Sequence, residues 1–157
     1  MSDKELTPKE RLQIPPQKMP EQKAEERIHN VDEVPYGYTR ELAMQEAERC
    51  LKCKNSPCVK GCPVEIDIPS FVEAIAEGDF RKSIDVIKET NILPAICGRV
   101  CPQEEQCQLY CVVGKSHKSV EKAVQIGKLE RFVADWERDK DQIHVPEIKK
   151  STGKKVA

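Results

Sequence analysis

Large aromatic side chains are scarce in this 157-residue sequence, in which phenylalanine, tyrosine and tryptophan together make up 4%. Hydrophobic residues reach only 38%, whereas charged residues make up 34%. A core built from so few large side chains is thin for a chain of this length. We therefore expect that something other than apolar burial helps to hold the fold.

The sequence also lacks an excess of either charge and any long hydrophobic run. Its 26 basic and 27 acidic side chains give a net charge of −1, which argues against electrostatic binding to nucleic acid or to a membrane surface. No stretch approaches the length of a transmembrane helix, and the start, MSDKELTPKERLQ, has no apolar region typical of a secretory signal. We expect a cytoplasmic protein.

Motifs for nucleotide binding and for hydrolysis are missing as well. None of the seven glycines forms GxGxxG, and no P-loop is present, so no recognised motif for FAD or NADPH exists here. No nucleophile–base arrangement supports hydrolysis, and no catalytic residue is predicted. Since no segment alternates with period two, the predicted fold is all-α.

Capping residues and apolar spacing place helices along the middle of the chain. The predicted helices run from Thr39 to about Cys50, from Asp67-Ile68-Pro69 to Gly78, from Asp79 onward, from Leu93-Pro94 into a short helix, and from about Ser119 to Lys140. The side chains expected to face inward are Phe71, Val72, Ile75, Ala76, Phe80, Ile84 and Ile87.

The two ends of the chain differ from its middle. Residues 1–35 are polar, contain five prolines and read as an extended arm that wraps or dangles. Residues 36–140 then form the helical domain, and residues 141–157 read as a polar linker.

Eight cysteines stand out against this background, because a cytoplasmic compartment keeps thiols reduced and disfavours disulfides. They fall into two groups of four. The first, CLKCKNSPCVKGCP, contains Cys50, Cys53, Cys58 and Cys62, and the second, CGRVCPQEEQCQLYC, contains Cys97, Cys101, Cys107 and Cys111. Two groups of four predict two four-ligand metal sites.

The spacing favours iron–sulfur clusters over zinc. Structural zinc usually takes paired CxxC knuckles or a mixture of Cys and His, but only one CxxC occurs and the three histidines lie outside both groups. Iron–sulfur clusters accept irregularly spaced thiolates and commonly have a proline directly after a ligand, as Pro63 and Pro102 are here. In two-cluster ferredoxins the fourth cysteine of a run serves the other cluster, so Cys62 should do the same.

A carboxylate on the long helix is the remaining candidate ligand. At 100° per residue Glu130 falls inside one apolar, small-residue arc. The arc consists of Ala123, Ile126, Gly127, Leu129, Val133, Ala134 and Trp136. Glu130 is either a core-edge residue that reaches solvent or pairs with an arginine, or a metal ligand for which Ala123, Gly127 and Ala134 leave room.

Taken together, these runs resemble a known family. CLKC, PCVKGCPV, IDIPSF, NILPAICGRVCPQEEQC and VQIGKLERF, over about residues 25–140, are similar to the N-terminal iron–sulfur domain of the NADPH-dependent glutamate synthase small subunit. The same domain occurs in the large subunit of NADH-dependent ferredoxin:NADP oxidoreductase and in dihydropyrimidine dehydrogenase. The resemblance implies an α-helical ferredoxin-like domain around two 4Fe–4S clusters, which pass electrons between a flavin of the same polypeptide and a partner.

The resemblance also implies a ligand set. Cys50, Cys53, Cys58 and Cys111 would hold the first cluster, and Cys62, Cys101, Cys107 and Glu130 the second. Cys97 would then be a buried non-ligand, so an even division of eight thiolates is too simple.

The family's FAD- and NADPH-binding domains are not recognisable in this sequence, so the chain resembles a fragment or a stand-alone version of a larger flavoprotein. We expect the electron-transfer part of an NAD(P)H-dependent oxidoreductase, with the flavin domain and a redox subunit such as the glutamate synthase large subunit as partners. The alternative is a zinc-stapled interaction module with no redox role.

Overall fold

Helices provide the regular structure of the chain in the computed structural model, which describes residues 6–140, 143 and 150–154. These residues contain no strand, and an isolated antiparallel bridge joins Glu21 and Pro35. The predicted all-α fold is confirmed. No helix in the described ranges is both long and apolar enough to cross a bilayer. Most of the predicted linker, residues 141–157, lies outside the described residues.

The described part of the chain forms a series of mostly short helices. They are α1 (Pro8–Gln13), α2 (Ala24–Arg27), α3 (Arg40–Ala47), α4 (Pro57–Lys60), α5 (Ile68–Glu77), α6 (Phe80–Lys88), α7 (Pro94–Val100), α8 (Val112–Ser116) and α9 (Ile126–Asp139). Two 3₁₀ turns, Gln108–Tyr110 and Val120–Lys122, precede α8 and α9.

Side-chain caps confirm three of the predicted helix starts, at Thr39, Asp67 and Asp79. Thr39 accepts a hydrogen bond from the backbone nitrogen of Leu42 at 3.3 Å, and α3 then ends at Ala47, shortly before Cys50. Asp67 caps α5 and Asp79 caps α6 in the same way. Each cap satisfies a backbone N–H that has no partner inside its helix.

Gly78 ends α5 as predicted, because it adopts a left-handed φ of +79° that a side chain disfavours. Pro94 occupies the first turn of α7, where its missing N–H costs nothing. The tight turn at Gly78 lets α6 pack directly against α5.

The predicted long helix from Ser119 to Lys140 is wrong in its first third. The chain forms the 3₁₀ turn Val120–Lys122, becomes extended at Ala123, and enters α9 only at Ile126. The carbonyl oxygens of Lys122 and Ala123 accept hydrogen bonds from the guanidinium of Arg49, at 2.5 and 2.9 Å. These tertiary bonds replace the bonds that a continuous helix would have made.

The core lies between α3, α5, α6 and α9. Phe80 packs edge-on against Phe132, with ring centroids 5.0 Å apart, and Ser83 donates to the carbonyl of Phe71 across the α5–α6 contact at 2.9 Å. The expected inward-facing side chains are buried except for Ala76, which is only partly covered.

The N-terminal arm is not extended throughout as the sequence suggested, because it contains α1 and α2. It follows the surface of the domain and is fastened at several points. Buried Arg11 donates to the carbonyl of Glu48 at 2.7 Å, Tyr38 donates to the carbonyl of Gln17 at 2.9 Å, and Arg99 binds Glu33 at 2.8 Å. The arm therefore covers part of the helical domain.

A fully buried ion pair between Glu46 and Arg49 connects the arm, α3 and the segment before α9. One Glu46 oxygen accepts from the backbone nitrogen of Gln17 at 2.7 Å, and the other accepts from that of Gln125 at 2.9 Å. Arg49 also donates to the carbonyl of Ile14 at 3.1 Å. Both charges are thus satisfied, as burial requires.

Replacing Arg49 with Met should strongly destabilise the protein, because it leaves the Glu46 carboxylate buried without its partner. We expect a loss of about 3–5 kcal/mol in the free energy of unfolding, measured by denaturant unfolding of the metal-loaded protein under anaerobic conditions. The control is Arg138→Met, which removes an exposed arginine paired with Asp135 and should cost less than about 1 kcal/mol. Equal losses in the two variants would contradict the role of the buried pair.

Candidate metal centre

Four thiols from both cysteine groups open into one cavity. Cys50, Cys53 and Cys58 come from the first group and Cys111 from the second. The rest of the wall is mainly apolar and includes Val72, Val113 and Ile126. A cavity with apolar walls and four thiols has the donor set that a four-iron cluster takes, so these residues fit that group.

The local backbone places the first three thiols. Cys50 follows α3, Cys58 lies within the single turn of α4, and Cys53 lies in the loop between these helices. Two residues of this loop, Lys52 and Ser56, adopt left-handed conformations with φ of +49° and +38°. Such conformations are uncommon for residues with a side chain and make the loop turn sharply.

Burial is the main cause of the raised pKa values of Cys50, Cys53 and Cys58. It raises the pKa of Cys50 to about 11, against a hydrogen bond from the backbone N–H of Lys52 that lowers this pKa. Burial, followed by the nearby Cys50 and Cys111, raises the pKa of Cys58 to about 12. Metal-free Cys50 and Cys58 are therefore protonated at neutral pH, and ligation requires a cation that displaces their protons.

A second set of side chains gathers between α4, α7 and α9. Burial, and then the charges of Cys97, Glu130 and Cys62, raise the pKa of Cys101 to about 11. Burial, Cys62 and Glu130 likewise raise the pKa of Cys107 to about 12. The structure thus brings Cys62 of the first cysteine group into the neighbourhood of the second group.

Glu130 is buried in α9, with 6% of its surface exposed. One carboxylate oxygen accepts a hydrogen bond from the side chain of Asn91 at 2.7 Å. Burial raises the pKa of Glu130 to about 7, and the bond from Asn91 opposes this rise. Of the two alternatives for Glu130, the residue that reaches solvent or pairs with an arginine is wrong, because this side chain is covered and bonded to an amide.

Cys97 lies on α7 beside the same set. Its sulfur is 3.6 Å from the side-chain oxygen of Asn91, and after burial the nearby Cys97 is the next largest cause of the raised pKa of Cys101. The second set therefore consists of four cysteines and one glutamate.

The expectation that Ala123, Gly127 and Ala134 leave room for a metal group is wrong for the first two. The space beside Gly127 is filled by the side chain of Gln103, and Ala123 lies before α9, where it packs against Gly114. These small residues serve contacts between chain segments.

Close packing of α7 on α9 fixes the geometry of the second set. A Cβ added at Gly98 would lie 2.6 Å from the backbone nitrogen of Arg131 and 2.8 Å from the carbonyl oxygen of Gly127. The two helix backbones therefore touch at Gly98. This contact sets the distance between Cys97 on α7, with Cys101 directly after that helix, and Glu130 on α9.

No three His, Cys, Asp or Glu side chains in the described part of the chain converge on a point suited to one metal ion. The ligands of a four-iron cluster surround a larger body, and each binds a different iron.

A small helical domain with cysteines gathered in two sets, each of them partly or fully buried, belongs to the class of metal-binding domains with thiolate ligands. Residues 27–142 match the family described as dihydropyrimidine dehydrogenase domain II, 4Fe-4S cluster. The chain therefore belongs to this family of iron–sulfur domains.

Longer oxidoreductases contain similar segments. The chain is 39% identical over 108 residues to the NAD-dependent dihydropyrimidine dehydrogenase subunit PreT of Escherichia coli K12, covering 69% of this chain and 25% of that protein. It is 36% identical over 121 residues to the glutamate synthase [NADPH] small chain of the same organism, covering 73% and 24%. A third relative, the putative oxidoreductase AegA, is 35% identical over 131 residues, covering 80% and 19%.

The chain thus spans about a quarter or less of the length of these curated relatives. The predicted resemblance to the iron–sulfur domain of glutamate synthase small subunits is confirmed, and these matches give no support to the zinc-stapled alternative.

The contacts of Asn91 with the second set and the buried Glu46–Arg49 ion pair were not predicted from the sequence. Asn91 precedes a proline-initiated helix, and an asparagine at such a position commonly bonds the backbone two residues later. That signal was present at Asn91. Nothing in the sequence indicated that Glu46 and Arg49 would be buried, because a charged pair three residues apart is usually on the surface.

Replacing Gly98 with Ala should push α7 away from α9. We expect the second set of side chains to bind metal less tightly as a result. Alanine forms helices better than glycine, so propensity alone would raise the stability. A net loss of about 1–3 kcal/mol in the free energy of unfolding would therefore come from the clash of the new Cβ with the backbone of α9. Denaturant unfolding and the iron content of the purified protein measure the effect. Val100→Ala, at a position on the same helix with 70% exposure, is the control and should change neither quantity. A Gly98→Ala protein with unchanged or higher stability would contradict the contact.

Proposed function

We propose that this chain carries two 4Fe–4S clusters and serves as a single-electron relay within a larger NAD(P)H-dependent flavoprotein oxidoreductase. One observation carries the proposal. Each of the two sets of side chains mixes residues from both cysteine groups, with Cys111 joining the first set and Cys62 the second. This exchange is the arrangement used by two-cluster ferredoxins, in which the last cysteine of a run serves the other cluster.

The proposed ligands follow from the two sets and from the family resemblance. Those of the first cluster are Cys50, Cys53, Cys58 and Cys111, and those of the second are Cys62, Cys101, Cys107 and Glu130. Cys97 is proposed as a non-ligand. The shared cavity supports the first set, and the burial of Glu130 beside Cys101 and Cys107 supports the second.

The side chains around the thiols have a defined task in this proposal. Val72, Val113 and Ile126 keep water away from the first set. Against the larger effect of burial, the backbone N–H groups of Lys52 and Gln108 lower the pKa values of Cys50 and Cys107, and bonds of this kind to ligand sulfurs tune reduction potentials. When bound, the clusters supply one-electron transfer, and the protein supplies ligands, insulation and fixed positions.

The relatives suggest the setting of this relay. They are named as an NADPH-linked glutamate synthase small chain and as a subunit of an NAD-dependent dehydrogenase. We infer FAD and NADPH sites elsewhere in the polypeptide, and a partner redox subunit of the glutamate synthase large-subunit type. In this scheme, residues 1–35 are an arm, 36–140 the two-cluster domain and 141–157 the linker. A cytoplasmic location, where thiols stay reduced for cluster assembly, accompanies the proposal.

Metal analysis tests the cofactor directly. Anaerobically purified protein should contain about eight irons and about eight acid-labile sulfides per chain, because each four-iron cluster brings four of each. Stoichiometric zinc without sulfide would overturn the proposal, and about four irons would show that one set is not a cluster site.

The ligand assignment is tested by comparing Glu130→Ala with Cys97→Ser. The first change should remove a ligand and lower the iron content towards half, whereas the second should leave both clusters in place. Iron content and the EPR spectrum of the reduced protein report the outcome. If Glu130→Ala keeps two unaltered clusters while Cys97→Ser loses one, then Cys97 is the fourth ligand of the second cluster.

A further inference from the structure

Asn91 lies at the centre of the second set of side chains, in the connection between α6 and α7. It is buried, with 6% of its surface exposed, and it contacts both Cys97 and Glu130. The proposed ligand set gives it no role. A buried amide requires partners for its oxygen and its nitrogen, and the identity of those partners shows what the residue does.

Two donors fix the orientation of the Asn91 amide. Its side-chain oxygen accepts a hydrogen bond from the backbone nitrogen of Leu93 at 3.0 Å and faces the Cys97 sulfur at 3.6 Å. Rotating the amide by 180° would place its NH₂ group against two other donors. The nitrogen therefore points in the other direction, towards Glu130.

The nitrogen donates to one oxygen of Glu130, Oε1, at 2.7 Å. That bond engages Oε1, so Oε2 is the carboxylate oxygen that remains for binding a metal. Because a ligating carboxylate is commonly held by a hydrogen bond to its second oxygen, this geometry is that of an outer-shell partner.

Asn91 also connects two helices. The backbone nitrogen of Leu93 directly precedes Pro94, the first residue of α7, and Glu130 lies on α9. The same amide thus fixes the start of the helix that carries Cys97 and leads into Cys101, and the carboxylate on the facing helix.

We propose that Asn91 is a positioning residue for the second metal site, which holds the Glu130 carboxylate so that Oε2 alone is presented to iron. The inference rests on the proposed function, since it takes Glu130 as a ligand. It goes further by naming the side chain that sets the ligand's orientation and thereby the electronic properties of the site.

Asn91→Asp is the sharpest perturbation, because it keeps the shape and the acceptor oxygen for Leu93 but removes the donor to Glu130. Two carboxylates then face each other, and the Glu130 side chain is displaced. The EPR signal of the second cluster, identified as the one that Glu130→Ala abolishes, should change and its midpoint potential should shift. The signal and potential of the first cluster should stay as they were.

Exchanging the amide and the carboxylate between positions 91 and 130 should restore the hydrogen bond. In Asn91→Asp combined with Glu130→Gln, the new amide donates to the new carboxylate and turns its own oxygen to the metal. The double variant should therefore retain more iron in the second site than either Asn91→Asp or Glu130→Gln alone. Retention no better than in the better of the two single variants would overturn the inference.

Asn30→Asp introduces the same change in the arm, where the asparagine bonds Gln22, and controls for the added charge. It should leave both potentials unaltered. If Asn91→Asp fails to fold, Asn91→Ala removes the donor without adding a charge and should shift the second potential in its place. An unchanged second signal and potential in the folded Asn91 variant would overturn the inference.

The experiments distinguish a wrong role for Asn91 from a wrong ligand assignment for Glu130. If Glu130→Ala loses the second cluster while the Asn91 variant matches the parent protein, Glu130 is a ligand and Asn91 does not position it. If Glu130→Ala keeps both clusters unaltered, the ligand assignment itself is wrong and the inference falls with it.

Discussion

The buried ion pair of Glu46 and Arg49 is the interaction on which the arrangement of the rest depends. Two charges removed from water must be matched, and here the arm and the segment before α9 supply the additional donors and acceptors. Cys50 directly follows Arg49, and α9, which carries Glu130, begins directly after Gln125. The pair therefore fixes the positions from which both sets of candidate ligands start.

A second constraint arises from the thinness of the core. The apolar residues of α5, α6 and α9 pack well, whereas the first cysteine loop turns through the left-handed residues Lys52 and Ser56 and has only the single turn of α4 as regular structure. Burial raises the pKa values of Cys58 and Cys107, so these thiols lose their protons only when a metal compensates the charge. Metal binding then contributes directly to the free energy of folding, as it does in other small metal-binding domains.

Local chemistry made much of the fold predictable. Thr39, Asp67 and Asp79 were recognisable as caps because capping depends on neighbouring residues alone. The start of α9 was not predictable, because its lead-in is pulled out of helical geometry by Arg49, which lies more than 70 residues away in sequence. The apolar arc placed Glu130 on the inward side of α9 but left open whether its carboxylate reaches solvent, and the space beside Gly127 holds Gln103, which no periodicity could have indicated.

The central claim is that each of two clusters takes its cysteine ligands from both cysteine groups, and that the carboxylate of Glu130 is the fourth ligand of the second cluster. A crystal structure of the anaerobically purified protein, with anomalous data collected at the iron absorption edge, tests it most directly. The account predicts two four-iron clusters, one bound by Cys58 and Cys111 and the other by Cys62 and one oxygen of Glu130. A bond from Cys97 to iron with Glu130 unligated, or a single mononuclear metal ion in either set, would contradict it.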